Sequence, residues 1–246
     1  MSGSTMTGSL RTVASGGTLA AVFASGSNVY LLFATIKPDD SSATLTDFFT
    51  NNATATLTYA SLNALTGTDI DISGNVNKAS IILALGTGPT ISATIQGSPV
   101  KVMTAVSGKG TWLKITPQTT VPTNSITGSV LSLADYSAFV GVFAYTSTLN
   151  QQAIPTVYYF TSSLTASPSF TGPPGPFSSS GAEVDYSNIN ALAGQQSLNS
   201  DSTLTISALS LGLSDGIGIS ATVDRQFTSK ITLSGAGSWS AFTVTA

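Results

Sequence analysis

Short runs of β-branched and aromatic residues alternate with small polar ones along most of this chain, and Gly- and Ser-rich breaks interrupt them about every ten residues. Strands are predicted over residues 18–24, 29–36, 54–59, 80–85, 90–96, 100–106 and 111–116. A second series is predicted over 138–145, 156–162, 203–211, 217–224, 229–234 and 238–245. Such spacing of strands and turns is that of a sandwich or jelly roll.

Helical signals are few. In Tyr59-Ala-Ser-Leu-Asn-Ala-Leu-Thr-Gly67 the apolar residues Tyr59, Leu62 and Leu65 fall at i, i+3 and i+6, and Gly67 stands where a left-handed cap would lie. That predicts one short helix, and the same pattern recurs at Tyr186, Ile189, Leu192 and Gly194.

The recurrence is part of an internal duplication. Tyr59–Gly67 returns as Tyr186–Gly194, displaced by 127 positions. Ser107-Gly-Lys-Gly-Thr-Trp112 returns as Ser234-Gly-Ala-Gly-Ser-Trp239, also displaced by 127, and Ile91–Ile95 returns as Ile219–Val223, displaced by 128. Nearer the start, Thr7–Leu10 resembles Thr127–Val130, and Val22-Phe-Ala24 resembles Val142-Phe-Ala144, at a displacement of 120. Colinear matches with a small drift describe a tandem repeat with loop insertions. The expected fold is therefore all-β: two β-sandwich or jelly-roll-like units with one short helix each, spanning residues 1–120 and 121–246. A boundary is expected in the proline-bearing segment Pro117–Ser125, and the Pro/Gly-rich stretch Pro168–Phe177 is expected as an exposed loop or edge-covering arm.

Composition narrows the function. Apolar residues make up 41% of the chain and charged residues only 8%, against about 25% charged in average soluble proteins. A surface made of Ser, Thr, Asn and Gln carries little repulsion to hold copies apart. The eight basic residues are scattered singly, so direct nucleic-acid binding is not expected. With no histidine and no cysteine, Ser–His–Asp and Cys–His chemistry and His- or Cys-ligated metals are excluded. Few groups change charge as pH falls, so acid is expected to cost the fold little.

Several constellations bear on chemistry. Alternation in Thr68-Asp69-Ile70-Asp71-Ile72 puts Asp69 and Asp71 on one face, which is half of a hard-cation site or a solvated strand face. Asp39 and Asp40 could supply oxygen ligands, but Pro-Asp-Asp-Ser is ordinary turn chemistry, and Asn199-Ser-Asp201 is read as a turn as well. Glu183 and Asp185 are a carboxylate pair on one strand face, side by side rather than across a cleft as a glycosidase needs. Ser107-Gly-Lys-Gly110 lacks phosphate-loop spacing and is read as a tight turn. Trp112 and Trp239 are either core anchors or candidate ligand-stacking platforms for a sugar face; Tyr136 and Tyr158-Tyr159-Phe160 are further candidates for exposed aromatics. Asn52-Ala-Thr54 is a glycosylation sequon.

No enzyme, cofactor or metal is expected. The leading expectation is a structural, self-assembling subunit, a virion capsid, coat or tail-type protein or an extracellular filament or lattice subunit, whose partners are copies of itself. Its expected place is the virion or an extracellular surface, since neither a cleavable leader nor a transmembrane helix is read in the sequence. The alternative is a lectin-like carbohydrate-binding module with one site per repeat and glycans as partners. A pore-forming or adhesive role ranks third.

Overall fold

The computed structural model describes residues 3–12, 17–25, 28–45, 53–95, 103–119, 121–133, 136–149, 152–167 and 176–243. It divides into two compact units, Met1–Lys114 and Ile115–Ala246. All strand pairings named in either sheet are antiparallel.

The first unit contains β1 (Ser4–Thr12), β2 (Thr18–Ser25), β3 (Asn28–Pro38), β4 (Ala53–Tyr59), β5 (Ile70–Val76), β6 (Ser80–Leu85), β7 (Thr90–Thr94) and β8 (Thr104–Ile115). Its strand order is β1-β2-β3-β8-β5-β6-β7-β4, closed by the β1–β4 pairing. Strands β1 to β3 form a meander and β4 returns beside β1; β5 to β7 form a second meander and β8 returns beside β5. Each set is a Greek key, and the β3–β8 and β4–β7 pairings join the two into a ring.

The second unit contains β9 (Ser125–Ser132), β10 (Ala138–Leu149), β11 (Gln152–Ser167), β12 (Ser178–Asp185), β13 (Gly194–Ser197), β14 (Thr203–Leu204), β15 (Ala208–Gly212), β16 (Gly218–Thr222) and β17 (Ile231–Thr243). Its order repeats that of the first, β11-β10-β9-β12-β16-β15-β14-β17, and the β11–β17 ladder closes it. What is one strand in β5 is split here into β13 and β14, both paired with β17, by an inserted loop at 198–202. The fold is thus all-β and duplicated. In place of the expected two-sheet sandwich or jelly roll, each strand order is closed on itself, because the β1–β4 and β11–β17 ladders join its two ends.

Closure explains why the interiors are apolar and filled. In β4, β6 and β7 burial alternates strictly, with Ala55, Leu57, Ile81, Leu83 and Ile91 inside; threonines and a serine face outward on β4 and β7, and Ile82 and Ala84 on β6. Met6, Leu10, Phe23, Leu32, Ile72, Val106 and Trp112 complete the first interior; Phe139, Phe143, Phe160, Val184, Leu211, Ile219 and Trp239 are among those that fill the second. These barrels are packed cores, not channels. Strand β2 differs in being buried on both faces, as its unbroken run Leu-Ala-Ala-Val-Phe-Ala predicts.

The duplication extends to individual contacts. Gly8 lies opposite Phe23, which lies opposite Tyr30; Gly128 lies opposite Phe143, which lies opposite Tyr158. A Cβ on either glycine would sit 2.2 or 2.1 Å from a carbonyl oxygen on the neighbouring strand. Phe23 packs against Trp112 at 6.4 Å between ring centroids, and Phe143 against Trp239 at 5.9 Å.

Two local expectations are corrected. Ser107-Gly-Lys-Gly110 is not a turn: it lies inside β8, which runs unbroken through both strands predicted there, and β17 likewise spans the break predicted at 235–237. The glycines are there because neighbouring backbone comes close. A Cβ at Gly108 would stand 2.0 Å from the Thr35 carbonyl oxygen, and one at Gly235 2.1 Å from that of Ser163. The predicted short helices are single 3₁₀ turns, Leu62–Ala64 and Ile189–Ala191. Tyr59 already belongs to β4, so the i, i+3, i+6 spacing is not one helical face. Ser61 and Asn188 cap the turns by accepting from the backbone N–H two residues on, at 3.2 and 2.9 Å.

Candidate functional site

Two carboxylates and a lysine meet at an exposed spot on the first barrel. Asp71 on β5 pairs in register with Lys109 on β8, which brings Lys109 Nζ to 2.8 Å from Asp71 Oδ1 and 3.4 Å from Asp69 Oδ2. Lys109 also donates to the Asp69 carbonyl at 3.3 Å. Asp69 precedes β5 and holds a positive φ of 57°, so only part of the expected alternation is met: Ile70 and Ile72 point inward, Asp71 outward. The lysine occupies the place a hard cation would need, and hydrogen bonding to Asp71 raises its pKa. In the second barrel Ser197 and Ala236 occupy the register of Asp71 and Lys109. The joint loss of carboxylate and ammonium in the repeat was the sequence signal that pairs them.

The other acidic candidates are placed as follows. Asp40 accepts from Ser42 N at 2.9 Å and Ser42 Oγ at 2.8 Å, an Asx turn that holds its carboxyl below the ordinary value. Together with Lys37, Asp39 and Ser107 it lines a shallow open depression. Glu183 and Asp185 sit side by side on the outer face of β12, with Thr127 and Ser220 abreast of Glu183 and Ser125 and Gly218 abreast of Asp185. Desolvation, then the nearby Glu183 charge, raises the Asp185 pKa. No carboxylate faces this pair from across a cleft in the register of its two neighbouring strands. Asn199–Asp201 forms the turn in the inserted loop, where the Ser202 N–H donates to the Asn199 carbonyl at 3.0 Å. Buried polar groups fasten that loop: Gln196 Nε2 donates to Asp215 Oδ2 at 2.6 Å, and Ser202 Oγ both donates to and accepts from Gly212 backbone at 3.1 Å. Among the described residues no group of three or more carboxylates gathers into a metal-binding cluster.

Aromatic placement separates core from surface. Trp112 is 5% exposed and Trp239 3% exposed, each inside its barrel, so neither offers a ring face for stacking. Tyr136, Tyr159 and Phe160 are buried too. Tyr158 is partly exposed and stacks on Tyr145, with 6.5 Å between centroids and 20° between planes. Tyr145 was not singled out by sequence; the usable signal is that it replaces Ser25 of the first repeat. The side chains of Asn52 and of 168–175 lie outside the described residues. No helix among them is long and apolar enough to cross a membrane.

No family model matches the chain, and no curated protein or solved structure matches it.

Proposed function

We propose that the chain is a structural subunit that assembles with copies of itself and carries no catalytic activity, as a virion capsid, coat or tail-type protein or an extracellular filament or lattice subunit. The observation that carries this reading is the outer face of the first barrel. Thr5, Thr58 and Thr90 lie abreast on β1, β4 and β7, and Thr7, Thr56 and Ser92 form the next row, all exposed and none charged. Strands in such a sheet are about 4.8 Å apart. Two copies can bring faces of this kind together without desolvating an ion, which is the costly part of burying polar surface.

Ring closure supports the same reading from another side. Paired strands in both barrels leave few open edges for uncontrolled strand addition, so association through side-chain faces is favoured over aggregation through backbone. The burial of both tryptophans withdraws the rings on which a lectin with one site per repeat depended.

Sedimentation velocity and negative-stain microscopy on the purified chain over a hundredfold concentration range test the proposal. Discrete oligomers, lattices or filaments that grow with concentration are expected. A monodisperse monomer at the highest concentration would refute it.

A further inference from the structure

In each barrel one ladder opens into a fork at the same place, and described residues fill only one of the two forks. In the second barrel the β9–β10 ladder stops at Gly128 opposite Phe143, so Thr127 and Ala144 do not pair. Gln118, from the segment between β8 and β9, stands in that fork as a parallel bridge to β10. Its N–H donates to the Ala144 carbonyl at 3.0 Å, and its carbonyl accepts from the Thr146 N–H at 2.8 Å. Its Oε1 accepts from the Thr127 N–H at 3.0 Å. Backbone groups that a forked ladder leaves open are thereby satisfied. Pro117, beside Gln118, is buried.

The first barrel repeats the fork at a displacement of 120, Thr7 standing for Thr127 and Ala24 for Ala144. Its β1–β2 ladder stops at Gly8 opposite Phe23, so Thr7 and Ala24 do not pair, and no described residue is bonded between them. From Ser4 to Thr7, β1 pairs with β4 alone, and Thr7 is exposed. A fork of this kind is an open edge to which an extended segment can add through backbone hydrogen bonds.

The repeat shows which segment fits. Trp112 of β8 and Trp239 of β17 are equivalent at a displacement of 127, and the same displacement takes Thr116-Pro-Gln-Thr119 to Thr243-Val-Thr-Ala246. The segment after β17 is thus the counterpart of the segment after β8, which fills the fork of the barrel that comes next. For β17 the next barrel is the first barrel of another copy. Val244 is apolar like the buried Pro117, and Thr245 brings to the place of Gln118 the N–H and carbonyl that two of the three bonds need. For the third, the Thr245 hydroxyl is a shorter acceptor than the Gln118 amide. Val244–Ala246 lies outside the described residues.

We propose that Val244-Thr245-Ala246 of one copy adds to the β1–β2 fork of a second copy, the Thr245 N–H donating to the Ala24 carbonyl, so that copies join head to tail. This inference rests on the self-assembling reading and gives it a specific contact.

Sedimentation velocity tests it on the full chain, the chain lacking Val244–Ala246, and the variants Thr245→Pro and Thr245→Ala. Proline removes the N–H that the bridge needs and alanine keeps it. Position 245 is beyond the last residue of β17, so both variants keep the fold. Removal of the segment and Thr245→Pro should each raise the concentration at which assembly begins by about fivefold or more, while Thr245→Ala stays within about threefold of the parent. Cysteine pairs locate the contact, since the chain has no cysteine of its own. Gln118→Cys with Thr127→Cys should close within one chain, because the Gln118 side chain meets both the N–H and the hydroxyl of Thr127. A Thr7→Cys chain mixed with a Thr245→Cys chain should form the mixed disulfide at least about tenfold faster than either joins to itself, because docking raises the local thiol concentration.

A full chain that stays monomeric at every concentration refutes the assembly reading and this inference together. Three other results overturn this inference alone: assembly unchanged by Thr245→Pro and by loss of Val244–Ala246, no excess of mixed disulfide although the Gln118–Thr127 pair closes, or closure of Thr7→Cys with Thr245→Cys inside a single chain.

Discussion

Replacing Gly108 by alanine tests whether close backbone approach, and not a turn, explains the glycine. An added Cβ would lie 2.0 Å from the Thr35 carbonyl oxygen, 2.9 Å from its carbonyl carbon and 2.8 Å from Ile36 Cα. Ordinary contacts begin near 3.4 Å. All three atoms are backbone of β3, so no side chain can swing aside, and β3 and β8 must part by more than an ångström at the seam that closes the barrel. Overpacking of this kind costs about 1–3 kcal/mol. Two flanking backbone hydrogen bonds stretched or lost add about 1 kcal/mol each. The expected loss is therefore about 3–5 kcal/mol, a large share of the 5–15 kcal/mol typical of a whole domain.

Two further glycines calibrate the effect. At Gly110 the nearest atoms are side-chain carbons, Ile72 Cδ1 at 2.9 Å, Leu32 Cδ1 at 3.0 Å and Ala34 Cβ at 3.1 Å; the first two are tips that can rotate, so alanine should cost about 1 kcal/mol. At Gly218 nothing lies within 4 Å, and alanine should fall within about 0.5 kcal/mol of the parent. Urea unfolding in a Trp239→Phe background, where Trp112 alone reports on the first barrel, measures the two first-barrel variants; circular dichroism serves for Gly218→Ala. If Gly108→Ala unfolds within about 0.5 kcal/mol of its parent, or Gly218→Ala costs as much as Gly108→Ala, the close-approach account is wrong.

Native tryptophan emission should be blue-shifted and poorly quenched by acrylamide, since both indoles are at most 5% exposed; red-shifted, easily quenched emission would place a ring at the surface. Millimolar Ca²⁺ should leave the melting temperature unchanged, because Lys109 already neutralises Asp69 and Asp71, and Lys109→Ala should not shift it measurably either, the pair being exposed. A calcium-dependent rise in the parent would show a cation site instead. Acid should act on Asp185 in an unusual direction. Its folded-state pKa is raised, so the folded chain binds this proton more tightly than the unfolded one; the stabilisation is present below the ordinary carboxylate value and lost as pH rises through the folded one. Melting curves just above the ordinary carboxylate range should therefore show a small acid-side gain that Asp185→Asn removes. Equal pH dependence in parent and variant would contradict the shift.

Alternation made the all-β class legible, and the repeated Tyr59 and Tyr186 segments made the duplication legible, because both are local properties of the chain. Closure was not. A strand with one apolar face looks the same whether its sheet faces a second sheet or curls onto itself, and the choice is made by the long-range β3–β8 and β4–β7 pairings. Glycine was ambiguous for a similar reason: Ser107-Gly-Lys-Gly110 satisfies a turn as well as it satisfies a strand pressed against another backbone. Only the position of Thr35 decides. Tryptophan identity could not say which face a ring takes, so stacking platform and core anchor stayed open until the register of β8 and β17 was fixed. The Tyr145–Tyr158 stack was hidden because it depends on the register of the β10–β11 hairpin, which alternation alone does not set.

What the two barrels share and what they do not are distributed differently in space. The Gly8–Phe23–Tyr30 row with Trp112 and the Gly128–Phe143–Tyr158 row with Trp239 are the same device, set where the interior must fill at a fixed radius. The differences lie at the surface and at one end: Asp71 and Lys109 against Ser197 and Ala236, Ser25 against Tyr145, and an unbroken β5 against a split strand held by Gln196 and Ser202. Packing a closed barrel restricts the inner positions in both copies, whereas outer and end positions are free to change once two copies exist in one chain. Duplication therefore gives this chain two scaffolds of one kind whose exteriors can take separate roles. The uncharged Thr5–Thr58–Thr90 row on the first barrel and the stacked Tyr145–Tyr158 pair on the second are differences of that kind.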